Sequence, residues 1–179
     1  IENLLNANVN VFVMLWVLGS SVLLLKIVFG YVYISQLKSN IKNLASQNLD
    51  SALNKIQNKM GITQSIIIKM SPMVDFPMVM GSLKPVILIP LSLATKLSTQ
   101  QLELVLAHEL AHIQRQDYFW NGVQSVVESI YFFHPALWWL SAQIRKEREN
   151  ACDDIAMQFA ESPIYMAKTL VQVQEYAKN

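Results

Sequence analysis

Two histidines four residues apart, with a glutamate beside the first, carry the clearest chemistry in this chain. His108, Glu109 and His112 stand in the order His-Glu-x-x-His within LELVLAHELAHIQRQDYFW, residues 102–120. On a helix, residues at i and i+4 share a face with their Cβ atoms about 6 Å apart. Two imidazoles so placed can reach one tetrahedral Zn2+ at about 2.0–2.1 Å each. Glu109 is rotated one residue away from the ligand position, where it can hold and deprotonate an attacking water. The opposing reading is a core helix whose imidazoles bond to backbone or to Glu109. Against it, apolar helices rarely bury two ionisable rings without a partner, and two of the chain's three histidines fall in this motif.

A catalytic zinc needs a third protein ligand and an open position. His134, Glu128, Glu147 and Glu149 are the candidates. The stretch RKERENACDDIA, residues 145–156, is the most informative, because Glu149 and Asp153 are again i, i+4 on one helix face. One carboxylate can bind the metal while the other accepts the N–H of a ligating imidazole and fixes its orientation. Ala151, Cys152 and Ala156 are small enough to let this helix approach the histidine helix. Taken alone, the same stretch also reads as a solvated charged helix with an Arg145–Glu149 surface pair. Cys152 is the only cysteine, so no internal disulfide framework exists; it reads as a packing residue without a redox partner.

The elements that must position these groups are mostly helical. Ser98 followed by Gln101 forms a capping box ahead of the zinc helix, expected over about residues 98–116. A second apolar stretch, 118–142, reads as a helix pair broken near His134 and Pro135, and is expected to be membrane-associated, with core packing as the alternative. The glutamate-ligand helix is expected over about 135–160, and a last helix over 165–177. Before Pro90 the texture changes. SIIIKM, PMVMGSL and KPVILIP predict two or three short strands within 64–90, punctuated by Pro72, Pro77, Pro85 and Pro90. An exposed strand edge near 79–83 or 86–89 could hold an extended peptide by backbone pairing. Earlier, LDSALNKIQNKMG reads as an amphipathic helix closed by Gly61 within a polar linker, 37–62.

The N-terminal region, residues 1–36, predicts a transmembrane helix with its flank. Residues 9–34 form the longest apolar run, about 39 Å as a helix at ~1.5 Å per residue. Lys26, the single charge inside it, lies close enough to the C-terminal end to snorkel, and Tyr31 and Tyr33 suit an interface belt. Residues 1–8 carry no Lys or Arg, whereas Lys38, Lys42, Lys55 and Lys59 follow the run, which predicts a cytoplasmic C-terminal side. The composition agrees: 53% of the 179 residues are hydrophobic and only 15% charged, against about 25% charged in an ordinary soluble domain. A net charge of +1 supplies no basic field, so nucleic acid is not an expected partner. Because it starts at Ile1, the chain is expected to be a segment of a longer protein.

AHELAHIQRQDYFWN, FFHPALWW and RKERENACDDIA together resemble the integral-membrane zinc metallopeptidases of the BlaR/MecR type, antirepressor relatives among the Glu-zincins. MVMGSLKPVILIP is similar to the strand segment that precedes the zinc helix in that family. The resemblance covers roughly residues 9–179, most densely 72–156, and extends at greater distance to the membrane prenyl-protein and heat-shock peptidases. It implies a mainly α fold with a small β element (α+β, zincin-like), and a metallopeptidase domain over 63–179. It further implies Zn2+ held by His108, His112 and Glu149, Glu109 as general base, and Asp153 behind the ligands. Glu147, about 200° round the helix from Glu149, is the alternative third ligand. Arg115 and Asp117 match family positions without an assigned chemical step. His134 matches a His-Pro turn; its two readings are a transition-state role and a helix cap, and the cap is favoured.

The function this implies is a membrane-anchored zinc endopeptidase in signal transduction, cleaving a cytoplasmic regulatory protein, such as a repressor, or itself. Expected partners are a protein or peptide substrate and the lipid bilayer, with a homodimer open. The expected location is the cell (inner) membrane, multi-pass in the full-length protein, with the site facing or near the cytoplasm. A different class remains: a non-catalytic signalling scaffold with a structural metal site. Glu109 discriminates the two, because a scaffold has no need of a base.

Overall fold

The computed structural model describes residues 2–40, 47–72, 74–82 and 84–177. It is mainly helical with one three-stranded sheet. The first helix, α1 (Glu2–Asn40), is apolar on all sides over Asn8–Ile34 and leaves nearly all of that surface exposed. A helix that is hydrophobic all round needs either a protein core or a bilayer about it. This one has no core, and it is the single segment among the described residues long and apolar enough to span a membrane. Lys42 of the basic flank lies outside the described residues.

The polar stretch that follows carries α2 (Gln47–Lys59). Leu49, Ala52, Leu53 and Ile56 recur at helical spacing and are all buried, so this helix packs its apolar stripe into the main core. Gly61 ends it at φ +67°, a left-handed conformation open to glycine at no steric cost.

Three short strands form next: β1 (Ile67–Ser71), β2 (Met78–Met80) and β3 (Val86–Pro90). Their order is β1-β3-β2, with β3 parallel to β1 and antiparallel to β2. β3 is therefore central, and Val86, Ile87, Leu88 and Ile89 are buried on both faces, which explains its unbroken β-branched and leucine run. Residues 86–89 consequently offer no free edge. Of the two segments expected to present one, only the 79–83 region does so, through β2, and Leu83 lies outside the described residues.

The short α3 (Leu91–Lys96) leads into α4 (Thr99–Gln114). The expected capping box is present. Ser98 Oγ accepts from the Gln101 amide at 3.3 Å, and the Ser98 amide donates to Gln101 Oε1 at 3.0 Å. Val105, Leu106, Leu110 and Ile113 fix α4 against α2, and with Ile87, Ile89 and Leu93 they form one core. Fully burying such a side chain contributes about 1.5–3 kcal/mol. An exposed ion pair such as Lys55–Glu103 contributes at most ~1 kcal/mol. The apolar core thus anchors the histidine helix.

Two further helices make a hairpin, α5 (Asp117–Ile130) and α6 (Pro135–Met157), and α7 (Pro163–Ala177) closes the core with Met166 and Val173. Pro135 sits in the first turn of α6, as its fixed φ favours. Cys152 and Ala156 are fully buried where α6 meets α4, so the small residues do permit the close approach.

Candidate metal centre

His108 and His112 project from one face of α4 with their Nε2 atoms 3.2 Å apart. From α6, Glu149 brings Oε2 to 3.6 Å from His108 Nε2 and 3.8 Å from His112 Nε2. These three atoms form a group close enough to share one cation. Two nitrogens bound to one tetrahedral zinc at ~2.0–2.1 Å stand about 3.3 Å apart, and the observed spacing matches.

The far side of each ring explains why both Nε2 atoms are free to bind. His112 Nδ1 lies 2.9 Å from Asp117 Oδ2, and His108 Nδ1 lies 2.9 Å from Asp153 Oδ1. A carboxylate facing Nδ1 favours the tautomer that carries its proton there and turns the Nε2 lone pair toward a metal. Two lone pairs and a carboxylate oxygen then converge on one point, a repulsive arrangement that a divalent cation relieves. The residues present therefore fit a metal. The His108–Asp153 contact is close but off the N–H axis, so both atoms are buried without a formed hydrogen bond. The His112–Asp117 contact is well formed.

Glu109 points from α4 into the same cleft of about 420 Å3, at 7% exposure. Burial pushes its carboxyl up to about 7; His108 opposes the shift and Glu149 adds to it. A base with that value is half-ionised near neutral pH, the range in which general bases work best. For His108, burial opposes the charged form, but the Glu149 carboxylate facing Nε2 at 3.6 Å and the nearby Glu109 and Asp153 outweigh it and raise its pKa. The His108 contact lowers that of Glu149 against the effect of burial, helped by the charges of His112, His108 and Arg148.

The other candidates fall away from the centre. Glu128 pairs with Arg145 at 2.6 Å and accepts from Gln124 at 3.0 Å. Arg145 is therefore engaged with Glu128 rather than forming the Arg145–Glu149 surface pair. Glu147 faces a separate groove of about 870 Å3 between α5 and α6, larger than the histidine cleft but without converging ligand atoms among the described residues. His134 occupies the N-cap position of α6, at the far end of the helix from Glu149, and its side chain makes no capping hydrogen bond. The favoured capping role is thus not realised by its imidazole.

Asp117, like Arg115, carries no assigned role in the sequence. At 6% exposure it receives His112, lies 3.5 Å from Arg115 Nε and 3.7 Å from Arg148 Nε, and accepts from Cys152 Sγ at 3.3 Å. Burial and the Asp117 carboxylate push the Cys152 thiol far up, so it stays protonated and serves as a donor. His112 Nδ1, Asp117 and Cys152 are close enough to form a second potential metal group. The same three groups also contact one another directly, His112 Nδ1 lying 2.9 Å from Asp117 Oδ2 and the Cys152 thiol donating to that oxygen at 3.3 Å. The available signal was the acid five residues beyond His112, directly after the end of α4, a position that only a tight helix reversal brings back to the ring.

Fold and site together define a membrane-associated protein of the metallopeptidase class. The chain belongs to the BlaR/MecR-type peptidases: it matches the family described as BlaR1 peptidase M56 over residues 3–179. It is 26% identical over 155 residues to the regulatory protein BlaR1 of Bacillus licheniformis, an alignment covering 87% of this chain and 26% of that protein. It is 30% identical over 141 residues to the methicillin resistance mecR1 protein of Staphylococcus aureus, covering 78% of this chain and 24% of that protein. The chain thus spans about a quarter of the length of these relatives.

Proposed function

We propose that the chain carries the zinc-dependent endopeptidase centre of a membrane-anchored regulatory protein. The observation that carries this reading is the pair of Nε2 atoms 3.2 Å apart, each ring backed by its own carboxylate. His108, His112 and Glu149 hold the metal. When bound, zinc supplies Lewis acidity toward water and the peptide carbonyl. Glu109 holds the attacking water and takes its proton. Asp117 and Asp153 keep the two imidazoles turned toward the metal. The substrate is an extended segment of a cytoplasmic regulatory protein, or of the chain itself, laid along the outer edge of β2, whose Met78 and Val79 line the cleft beside His108. The lysines beyond the apolar run, Lys38, Lys42, Lys55 and Lys59, support a cytoplasmic location for this side of the membrane. A cysteine at Asn40 should therefore resist impermeant maleimide added to whole cells, and labelling there would reverse the orientation.

The deciding variant is Glu109→Gln, which keeps size and polarity but cannot accept the proton. Zinc content should stay near that of the wild type, while cleavage falls by ~10²–10⁴-fold. Unchanged cleavage would remove Glu109 as the base, and an intact signalling response in that variant would move the protein into the scaffold class.

A further inference from the structure

The hairpin of α5 and α6 has a surface that a soluble domain would not expose. Phe119, Trp120, Val123, Val126 and Val127 on α5 are exposed, as are Trp138, Trp139, Leu140 and Ile144 on α6. Across residues 118–144 the only carboxylate is Glu128 and there is no Lys or Arg; the next six residues, RKEREN, carry five charges. An apolar arm thus ends in a charged collar at its base, beside the metal centre.

Contacts with α1 give the arm a depth. Near the base, Tyr118 lies close to Tyr31. At the tip, the Trp16 indole donates to the Ile130 carbonyl at 2.7 Å. The Phe132 ring packs so closely on Gly19 that a Cβ there would lie 2.7 Å from it. The arm therefore runs antiparallel to α1. Ile34, at the other end of the apolar span, packs on the sheet through Val74, Met80, Val86 and Leu88. The folded domain thus sits at the end of the span while the hairpin tip reaches residues 16–19. The midpoint of Asn8–Ile34 is about residue 21, so the tip lies roughly 3–8 Å beyond it at ~1.5 Å per residue.

Several polar groups on the arm are paired internally, as a hydrocarbon environment favours. In the turn at 131–134, the Tyr131 amide donates to Val127 O, the His134 amide to Tyr131 O, and the Leu137 amide to His134 O. The last carbonyl of α5, that of Ile130, receives the Trp16 indole. Ser125 and Ser129 turn their hydroxyls back to the carbonyls of Asn121 and Ser125. Gln124 donates to Ser141 O, and Glu128 is paired by Arg145 reaching up from the collar.

We infer that α5 and α6 form a re-entrant hairpin that inserts into the lipid bilayer alongside α1, enters and leaves on the domain's side, and turns past the midplane. The partner of this surface is lipid acyl chains. The argument rests on continuity of the exposed apolar surface with that of α1, and it is independent of peptidase activity.

The test uses the chain reconstituted in phosphatidylcholine vesicles, with an environment-sensitive fluorophore on Phe133→Cys or, separately, on Trp139→Cys, residues 60% and 66% exposed. Cys152 is fully buried, so its failure to label reports that each variant is folded. Phe12→Cys on α1 and Gln100→Cys on the domain are the membrane and water references. The label at 133 should be quenched more by lipids brominated deep in the acyl chain than by those brominated near the headgroup, and should be untouched by iodide. Quenching by iodide at 133 and 139, with position 12 still quenched by bromolipid, would put the hairpin in water and overturn the inference. Protection from both quenchers would mean that protein, a second copy or another segment, covers the face, which equally overturns it. Failure of position 12 to respond to bromolipid would refute the membrane placement of α1 and the hairpin together.

Discussion

Asp117→Asn should weaken zinc binding without unfolding the chain. The His112 ring donates to Asp117 Oδ2 across 2.9 Å, and the carboxylate is nearly solvent-free. A hydrogen bond to a charged group contributes about 1.5–3 kcal/mol. At ~1.4 kcal/mol per tenfold, that is roughly 10- to 150-fold in affinity, and losing a carboxylate behind a ligating histidine typically costs ~10–100-fold. Asparagine keeps the shape and can still accept through its oxygen, so it belongs at the lower end. Asp117→Ala, which also strips Arg115, Arg148 and the Cys152 thiol of their shared acceptor, belongs at the upper end. Asp153→Asn is the internal comparison. Its side chain is 37% exposed and its contact with His108 is misaligned, so its effect should stay within about tenfold. The assay is competition for zinc against a fluorescent chelator on purified protein, with far-UV circular dichroism as the check on folding. Asp117→Asn binding zinc within twofold of wild type, or Asp153→Asn losing more than Asp117→Asn, would refute the assignment of Asp117 as the residue that orients His112.

Glu149→Gln should release more zinc than Glu147→Gln in metal analysis, because Oε2 of Glu149 faces both ring nitrogens while Glu147 turns to the α5–α6 groove; a larger loss for Glu147 would reverse the choice. Chelator-treated protein should show a pH signature of Glu109. Its carboxyl is raised from about 4.5 to about 7 by burial, so the folded state retains a proton that the unfolded chain releases. That contribution to stability is full below about pH 4.5 and is lost as pH rises to about 7. The melting temperature of Glu109→Gln minus that of wild type should therefore climb between those values and level off above them, and a flat difference would contradict a buried, proton-retaining Glu109.

Much of the site was legible because helical spacing alone aligns side chains. The i, i+4 relation that paired His108 with His112 and Glu149 with Asp153 also brings them together in space. Small residues at 151, 152 and 156 told which face of α6 meets α4. Two features escaped for a common reason: they depend on how elements cross, which local spacing does not encode. Sheet order decided that β3, rather than β2, is central, although both looked like edge candidates. Asp117 reaches His112 only because Gln116 takes a left-handed conformation, φ 57° and ψ 35°, the one positive φ outside glycine among the described residues. His134 shows the converse: Pro135 correctly marked the start of α6, but a start marked by proline did not require the imidazole to cap it.

Gln116 has a mechanical consequence. α4 ends and α5 begins with this single residue between Arg115 and Asp117, so the two helices form a bell-crank with Gln116 as its elbow. One arm is the 14 residues of α5, about 21 Å long at ~1.5 Å per residue. The other is the short step from the elbow to the carboxylate that holds His112. A 4 Å sideways shift of the hairpin tip corresponds to roughly 11° of rotation about the elbow, given the ~1.5 Å rise per residue that sets the arm's length. The same rotation slides Asp117 by under about 1 Å, and hydrogen bonds to an imidazole weaken steeply once their angle falls toward ~120°. Left-handed backbone at a non-glycine residue costs about 1–2 kcal/mol, and it holds the elbow at one angle. A displaced tip is therefore expected to disturb the His112 ring, and tip substitutions should change zinc affinity. Gln116→Gly keeps the register of Asp117 but loosens the elbow, and zinc affinity in that variant should respond less to substitutions at the hairpin tip.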